Sequence, residues 1–303
     1  MTDDRSPEAR IRLFSVGSPK SGPYALTAGP DGAVWITLVH AGQIARLEPG
    51  GRVDVYELGS AACRPSQITT GPDRALWFTR QGDDSIGRIT TGGEATAYPV
   101  TTGSAPFGIA LGPDDALWFT AMGTDQIARV TTDGHLTEFA LPTAGAMASM
   151  ITAGSDDALW FTLNQAHAIG RLSLDGEITI HPLPTPDAGP VGIAAASDAI
   201  WFVEIAAGQV GRISLDGSIR ELALPDRGGR PHAIVADGHD GCWISEWGNS
   251  RVAHVTADGR VREIALPLKS EPHGLTIGSD GALWVALEIE AVARIEISKK
   301  AAV

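Results

Sequence analysis

Glu271, His273 and Glu288 are the residues near the C-terminal end of the chain whose types and spacing suit chemistry. Glu271 and His273 are two residues apart, so in an extended strand their side chains lean to the same face, with Pro272 restricting the backbone between them. Two carboxylates with room for water suit a hard divalent ion such as Mg²⁺, whereas zinc would favour more His or Cys ligands. A neutral histidine beside such an ion can remove a proton next to a polarised carbonyl. The residues therefore favour elimination, isomerisation or assisted hydrolysis.

Other kinds of chemistry have little support in the sequence. It contains no G-x-S-x-G motif and no Gly-rich phosphate loop leading into a helix. Cys63 and Cys242 are far apart and have no evident base partner, so we expect free buried thiols rather than a disulfide or a nucleophile. Covalent catalysis is the weaker hypothesis.

The element that must position these residues is a repeat marked by tryptophan. Seven of the eight tryptophans recur every 41 or 42 residues, and similar segments surround each of them, such as "PFGIALGPDDALWFT" and "PHGLTIGSDGALWVA". Chance does not hold a spacing to one residue over seven units, so the chain is a repeat protein. The seven positions are Trp35, Trp77, Trp118, Trp160, Trp201, Trp243 and Trp284.

Each repeat contains four short runs rich in Val, Ile, Thr and aromatic residues, separated by Asp-Gly type turns. A unit of about 40 residues with four strands is a propeller blade, so the sequence predicts an all-β, seven-bladed β-propeller with four-stranded antiparallel blades. The last repeat lacks a fourth strand, and "EARIRLFSVGSPKSGP" near the N-terminus matches one, so an N-terminal strand is predicted to complete the last blade. Residues 1–303 are then a single domain, with flexible ends at 1–10 and 298–303.

Strand direction predicts which residues meet near the central axis. The start of the first strand and the end of the second lie on the same face of an up-and-down blade. Histidines occur at the first-strand position only in blades six and seven, and carboxylates follow the tryptophan strand only in blades five to seven. We therefore expect one polar patch, formed by Tyr24, Glu204, His232, Glu246, Trp247, Glu271, His273 and Glu288. The remaining histidines are interpreted as surface residues: His40, His135, His167, His181, His239 and His254.

The composition restricts partners and location. The net charge is -13 and the sequence pI is about 5.0, which disfavours nucleic acids and anionic membrane surfaces as partners. No apolar stretch approaches the roughly 20 residues needed to span a bilayer, and the sequence starts without an apolar signal segment. We expect a cytoplasmic monomer that acts on a small molecule.

Three motifs carry a family resemblance: "GRPHAI" at 229–234, "SEPHGL" at 270–275 and "WVALE" at 284–288. With the seven blades, they make the chain resemble the virginiamycin B (streptogramin B) lyase family from "SGPYALT" to "VARIEI". The resemblance implies a Mg²⁺-dependent lyase that opens the ring ester of cyclic depsipeptide antibiotics by elimination across a threonine-derived residue, conferring antibiotic resistance. It also implies roles for individual residues: Glu271 and Glu288 as Mg²⁺ ligands, His273 as the proton-transferring residue, and His232 and Tyr24 as substrate contacts.

Two alternatives stay open at this point. The first is a metal-dependent lactonase or esterase, in which the same ion would activate water. The second is a non-catalytic propeller that binds a ligand on the same face. The sequence also departs from related blades, with Leu38, Arg80, Ala121 and Leu163 where Glu is common after W-F-T, and Ala25 where Gly is usual. These changes lie outside the predicted metal and base positions and bear on the shape of the pocket.

Overall fold

The computed structural model describes residues 9–296, which form 28 β-strands arranged in seven four-stranded antiparallel sheets. In six of the sheets, the order in space follows the order in the chain, as expected for hairpins joined by tight turns, and in the seventh the N-terminal strand lies beside the last strand. The first strand of each blade contacts the first strand of the next, from blade one to blade seven and back to blade one. The prediction of a seven-bladed propeller with four-stranded blades is confirmed.

Blades one to three each consist of four consecutive strands of the chain. Their strands are β2 Pro23–Ala28, β3 Val34–Leu38, β4 Gln43–Leu47 and β5 Val53–Glu57; β6 Pro65–Thr70, β7 Leu76–Arg80, β8 Ser85–Ile89 and β9 Ala95–Pro99; β10 Pro106–Leu111, β11 Leu117–Ala121, β12 Gln126–Val130 and β13 Leu136–Ala140.

Blades four to six repeat the same plan. Their strands are β14 Ala148–Ala153, β15 Leu159–Leu163, β16 Ala168–Leu172 and β17 Ile178–Pro182; β18 Pro190–Ala195, β19 Ala199–Glu204, β20 Gln209–Ser214 and β21 Ile219–Ala223; β22 Pro231–Ala236, β23 Cys242–Glu246, β24 Arg251–Val255 and β25 Val261–Ala265. Short 3₁₀ turns, Ala61–Cys63 and Arg227–Gly229, precede the first strands of blades two and six.

Blade seven is built from both ends of the chain. It contains β26 Pro272–Ile277, β27 Leu283–Leu287 and β28 Ala291–Glu296, and its outer strand is β1 Arg10–Ser15. The β1 strand pairs antiparallel with β28, which leaves no open seam between the first and last repeats. The predicted N-terminal completion is therefore confirmed. Of the predicted flexible ends, residues 1–8 and 298–303 lie outside the described residues, and Arg10 belongs to a strand.

The repeated tryptophan is buried and is fixed by the hairpin that precedes it. In five blades an aspartate of that hairpin accepts a hydrogen bond from the indole Nε1 at 2.8 to 3.1 Å and another from an arginine Nε at 2.5 to 2.7 Å. These Asp–Trp–Arg triads close the hairpin against the neighbouring core, in agreement with a packing role for the tryptophan. The triads are Asp31–Trp35–Arg46, Asp73–Trp77–Arg88, Asp114–Trp118–Arg129, Asp156–Trp160–Arg171 and Asp280–Trp284–Arg294.

Every first strand carries a β-bulge directly after its opening residue. In blade seven, Pro272 pairs with Leu287 and Leu275 pairs with Val285, so two residues of β26 lie opposite one residue of β27. The same shift occurs in the other six blades. Because a bulge redirects side chains, the propeller offers seven equivalent positions near its axis, and His273 occupies one of them.

Two further expectations concern features away from the axis. Cys63 and Cys242 are both free and buried, as predicted. Across residues 9–296, no helix has the length and apolar character needed to cross a membrane.

Candidate active site

The centre of the site is a cluster of three rings from three consecutive blades. The ring centroids of His273 and Tyr24 are 4.9 Å apart, those of His273 and His232 are 5.1 Å apart, and those of Tyr24 and His232 are 5.8 Å apart. Each ring is carried by the first bulged residue of an innermost strand, which explains why residues so distant in sequence meet. The structure therefore brings together the predicted base and the two predicted substrate contacts.

Glu288 joins this cluster from the end of the neighbouring strand. Its Oε2 lies 3.0 Å from His273 Nε2, and its Oε1 lies 3.2 Å from His40 Nε2. A carboxylate only accepts hydrogen bonds, so both Nε2 atoms carry the proton in this arrangement. The backbone N–H of Glu288 donates to the carbonyl of Ser270 at 2.9 Å, which ties Glu288 to the segment that precedes β26.

His40 is the functional candidate that sequence reasoning missed. It was interpreted as a surface residue, and its side chain is indeed 54% exposed, but it contacts Glu288 within the site. A signal was present in the sequence, because the position five residues after the repeated tryptophan is a histidine only in blade one. Its ring packs over Gly22, where an added Cβ would lie 2.4 Å from the ring.

Glu271 occupies a backbone position that most residues avoid. Its φ is +45°, and Pro272 follows it as the first residue of β26. The residue before a proline is disfavoured in the right-handed helical region, and the left-handed turn here directs the chain into the strand. Glu271 and Glu288 line one cavity of about 400 Å³ at the mouth of the central axis. The cavity is lined by Tyr24, Val39, His40, Arg64, Ser66, Gln81, Phe107, Trp247, Glu271, His273 and Glu288.

The protonation preferences in the site are set by burial and by neighbouring charge. Burial, together with the adjacent His273, lowers the pKa of His232 to about 3, so His232 is neutral in ordinary buffers. Burial and the charge of Glu288 raise the pKa of Tyr24 to about 12, so its hydroxyl keeps its proton. The hydrogen bond from His273 holds the pKa of Glu288 below its usual value, so Glu288 is a carboxylate.

Glu204 and Glu246 do not belong to the site, and the expectation that they share the polar patch is wrong. Both are fully buried, where Glu204 accepts a hydrogen bond from Gln209 at 2.7 Å and Glu246 accepts one from Asn249 at 2.7 Å. They end strands at the position three residues after the tryptophan, which in blades one, three, four and seven is a core position. Trp247, one residue further on, does line the cavity.

Two other histidines are less exposed than expected and serve the scaffold. His181 stacks on Trp160 with ring centroids 5.7 Å apart, and both residues are at least partly buried. His254 Nε2 lies 2.7 Å from a carboxylate oxygen of Asp237, and its ring contacts Trp243. In blade six, His254 therefore takes the place that arginine has in the Asp–Trp–Arg triads.

The residues of the cavity fit a divalent cation held by few protein ligands. Within the described residues, no group of three or more His, Cys, Asp or Glu side chains is arranged to hold a metal ion. Mg²⁺ is commonly bound by one or two carboxylates while water and substrate fill its other positions. Glu271 and Glu288 could supply such a pair, since both line the cavity and each oxygen of Glu288 has a second lone pair beyond the one used by a histidine.

The fold and site define a seven-bladed propeller with a histidine and carboxylate site at the mouth of its axis. The family model of the virginiamycin B lyase family matches residues 9–295. A solved streptogramin B lyase superposes with a TM-score of 0.92 at 37% sequence identity, covering 95% of this chain and 97% of that one. The chain therefore belongs to the virginiamycin B lyase family.

Two other relatives are informative. A catalytically inactive histidine-to-alanine variant of virginiamycin B lyase from Staphylococcus aureus, in a structure with quinupristin, is 37% identical with a TM-score of 0.91, covering 96% of this chain and all of that one. Virginiamycin B lyase from Saccharopolyspora erythraea is 60% identical over 47 residues. That matched segment spans only 16% of this chain and 16% of the relative.

Proposed function

We propose that this protein is a Mg²⁺-dependent carbon–oxygen lyase that linearises streptogramin B-type cyclic depsipeptides by elimination at the ring ester. The observation that carries the proposal is the meeting of His273 with the carboxylates of Glu271 and Glu288 in one cavity at the axis. Family membership supports the same activity, as does the related structure that contains quinupristin. A cavity of about 400 Å³ that opens to solvent suits an edge of a peptide ring rather than the whole ring.

The carboxylates of Glu271 and Glu288 would hold the cation. A bound Mg²⁺ supplies a Lewis acid that polarises a carbonyl and makes the adjacent Cα proton easier to remove. Glu288 also orients His273 and His40 through its two oxygens. A cation held by these two carboxylates would lie in the same cavity as His273.

His273 would remove the Cα proton of the threonine-derived residue. Its Nε2 now carries a proton that is donated to Glu288, while its Nδ1 is buried and has no hydrogen-bond partner among the described residues. Accepting a proton at Nε2 requires the other tautomer, with the proton on Nδ1. The ¹⁵N chemical shifts of His273, recorded with and without Mg²⁺, would show whether Nδ1 or Nε2 is the unprotonated nitrogen that can accept the substrate proton.

His232 and Tyr24 would contact the substrate without exchanging protons. His232 is neutral because burial lowers its pKa to about 3, and Tyr24 is neutral because burial raises its pKa to about 12. Their rings pack at 5.8 Å and form an aromatic surface beside His273. Such a surface orients an apolar part of the ring and excludes water from the reacting bond.

The test is incubation of quinupristin with the protein and Mg²⁺, followed by chromatography and mass spectrometry. Elimination gives a ring-opened product whose mass equals that of the substrate. Activity is expected to disappear with EDTA and to return with added Mg²⁺. A product heavier by one water would identify a hydrolase, and activity that survives full chelation would contradict the role of the metal.

A further inference from the structure

The residue that precedes the first strand has a left-handed backbone in all seven blades. The φ values lie between +45° and +66° for Gly22, Arg64, Ala105, Met147, Gly189, Arg230 and Glu271. In blade seven this position holds Glu271, a predicted metal ligand. The same position is charged in two other blades, where it holds Arg64 and Arg230, and the predicted function assigns neither of them a role.

The backbone at Arg64 is held by several hydrogen bonds. Arg64 ends the 3₁₀ turn Ala61–Cys63, and Ser60 caps that turn by accepting from the N–H of Ala62 at 3.1 Å. The carbonyl of Arg64 accepts from the N–H of Gln81 at 3.3 Å and from Ser66 Oγ at 3.1 Å. This support fixes the point from which the long arginine side chain extends into the cavity.

Blade six has the same backbone arrangement as blade two, but its arginine covers an aromatic ring. Arg230 ends the 3₁₀ turn Arg227–Gly229, and its carbonyl accepts from the N–H of Trp247 at 3.2 Å. The guanidinium of Arg230 lies over the Trp247 ring, 5.4 Å from its centroid. Blade two has Gln81 where blade six has Trp247, so the indole that Arg230 covers is replaced by an amide side chain next to Arg64.

The charge distribution around the cavity makes Arg64 distinctive. Arg64 is the only lysine or arginine among the residues that line the cavity, and it is exposed. Across residues 9–296, no carboxylate forms an ion pair with its guanidinium. The carboxylates of Glu271 and Glu288 belong to blade seven, whereas Arg64 belongs to blade two, with blade one between them. A negative group held near Arg64 therefore avoids the negative side of the cavity.

We propose that Arg64 binds the carboxylate leaving group of the ring ester. The proposal rests on the proposed function. In the elimination, the base takes the Cα proton, the electron pair of that C–H bond forms the Cα–Cβ double bond, and the Cβ–O bond breaks. The electron pair of the Cβ–O bond leaves with the oxygen and creates a carboxylate. A guanidinium can donate two parallel hydrogen bonds to that carboxylate, and it would stabilise the charge as it develops.

Binding measurements test this assignment without turnover. The probes are ring-opened quinupristin with its free carboxylate and the corresponding primary amide, titrated into the protein by calorimetry. The wild type is expected to bind the carboxylate at least about tenfold more tightly than the amide, because only the carboxylate makes a charge-assisted pair. Arg64→Met should remove that preference, Arg64→Lys should keep part of it, and Arg230→Met is the matched control that should keep all of it.

Kinetics separate binding of the leaving group from binding of the intact ring. In Arg64→Met we expect kcat to fall about 100-fold with KM changed by less than about threefold, since the charge exists only late in the reaction. An unchanged carboxylate preference in Arg64→Met overturns the proposal, as does a wild type that binds neither probe. If the wild type instead yields a product heavier by water, elimination fails while recognition of the carboxylate by Arg64 stands.

Discussion

The two ends of the innermost strands differ in how they use the same repeat. At the hairpins between the first and second strands, five of the seven blades carry the same Asp–Trp–Arg triad. At the opposite mouth, the first bulged residue takes five different identities in the seven blades and is a histidine only at His232 and His273. A position repeated in most blades therefore maintains the ring, whereas a position that varies between blades is available for chemistry.

The hydrogen bonds that link neighbouring blades are also repeated in part of the ring and differ near the candidate site. Thr37, Thr79, Thr120 and Thr162 each donate a hydrogen bond of 2.7 or 2.8 Å to a carbonyl of the next blade. The equivalent residues of blades five and seven are Val203 and Ala286, which have no hydroxyl. The carbonyls that would receive those bonds belong to His232 and Tyr24. The equivalent residues thus offer no hydroxyl to the carbonyls of His232 and Tyr24, two residues of the candidate site, whereas blade six keeps a hydroxyl at Ser245.

The largest effect is expected for His273→Ala. Loss of the base should lower kcat by at least about 100-fold, because general acid–base catalysis contributes on the order of 10² to 10⁴. The thermal midpoint should change little, since His273 is one variable position on a common scaffold. The measurement is quinupristin turnover, with His135→Ala in an exposed hairpin as the control. Turnover that matches the wild type would remove His273 from the mechanism.

Glu271→Gln is expected to weaken the response to Mg²⁺. The amide keeps the shape of the side chain but loses the charge that a hard cation prefers, so the Mg²⁺ concentration for half-maximal activity should rise at least about tenfold. Glu246→Gln is the matched control, because Glu246 is a buried carboxyl that does not line the cavity. An equal response in both variants would show that the site does not depend on Glu271.

At the hairpin end, Asp114→Ala should reduce stability without reducing activity at 25 °C. Burial alone would raise the pKa of Asp114, but hydrogen bonds from Trp118 and Arg129 outweigh it and lower that pKa. The charge is then stabilising above the unfolded pKa, and this contribution is lost as the pH falls through the folded pKa. We expect a loss of about 1–3 kcal/mol in the free energy of unfolding at pH 7.

Blade five provides the control for that loss. The side chain of Asp198 is 64% exposed and accepts a hydrogen bond from Arg212. The indole nitrogen of Trp201 has no hydrogen-bond partner among the described residues. Asp198 is three residues before its tryptophan instead of four, which explains the missing bond. Asp198→Ala should therefore cost less than Asp114→Ala in urea unfolding, and equal losses would contradict the role given to the triad.

A smaller, pH-dependent effect is expected for Glu204→Gln. Burial raises the pKa of Glu204 from 4.5 to about 7, because the charged form is poorly solvated there. The folded state therefore binds more protons than the unfolded state, and stability falls as the pH rises from about 4.5 to about 7. Glu204→Gln should raise the thermal midpoint by a few degrees at pH 8 and not at pH 4. The exposed Glu94→Gln is the control, and a gain of the same size at both pH values would exclude this explanation.

The fold and part of the candidate site could be predicted from the sequence. The spacing of Trp35 and its six equivalents predicted the blades, and the unpaired last repeat predicted the place of β1. Strand direction placed Tyr24, His232 and His273 together, because each begins an innermost strand. The roles of these residues, and those of Glu271 and Glu288, stay predictions.

Side-chain direction at strand ends was harder to predict. Successive residues of a strand face opposite sides, so Glu246 enters the core while Trp247 faces the cavity. The repeat pattern predicts that Glu246 and Trp247 lie at the same face of the propeller. It does not predict which of the two side chains points into the cavity. His40 was missed because it follows its strand and reaches Glu288 of another blade, a contact between residues 248 positions apart.

Labelled water distinguishes elimination from hydrolysis at the irregular mouth of this regular propeller. The wild type, Mg²⁺ and quinupristin are incubated in H₂¹⁸O, and the ring-opened product is analysed by mass spectrometry. Elimination gives a product with the mass of the substrate and no ¹⁸O, and we expect His273→Ala to form it far more slowly. A product that carries one labelled oxygen would contradict elimination and assign the site to hydrolysis.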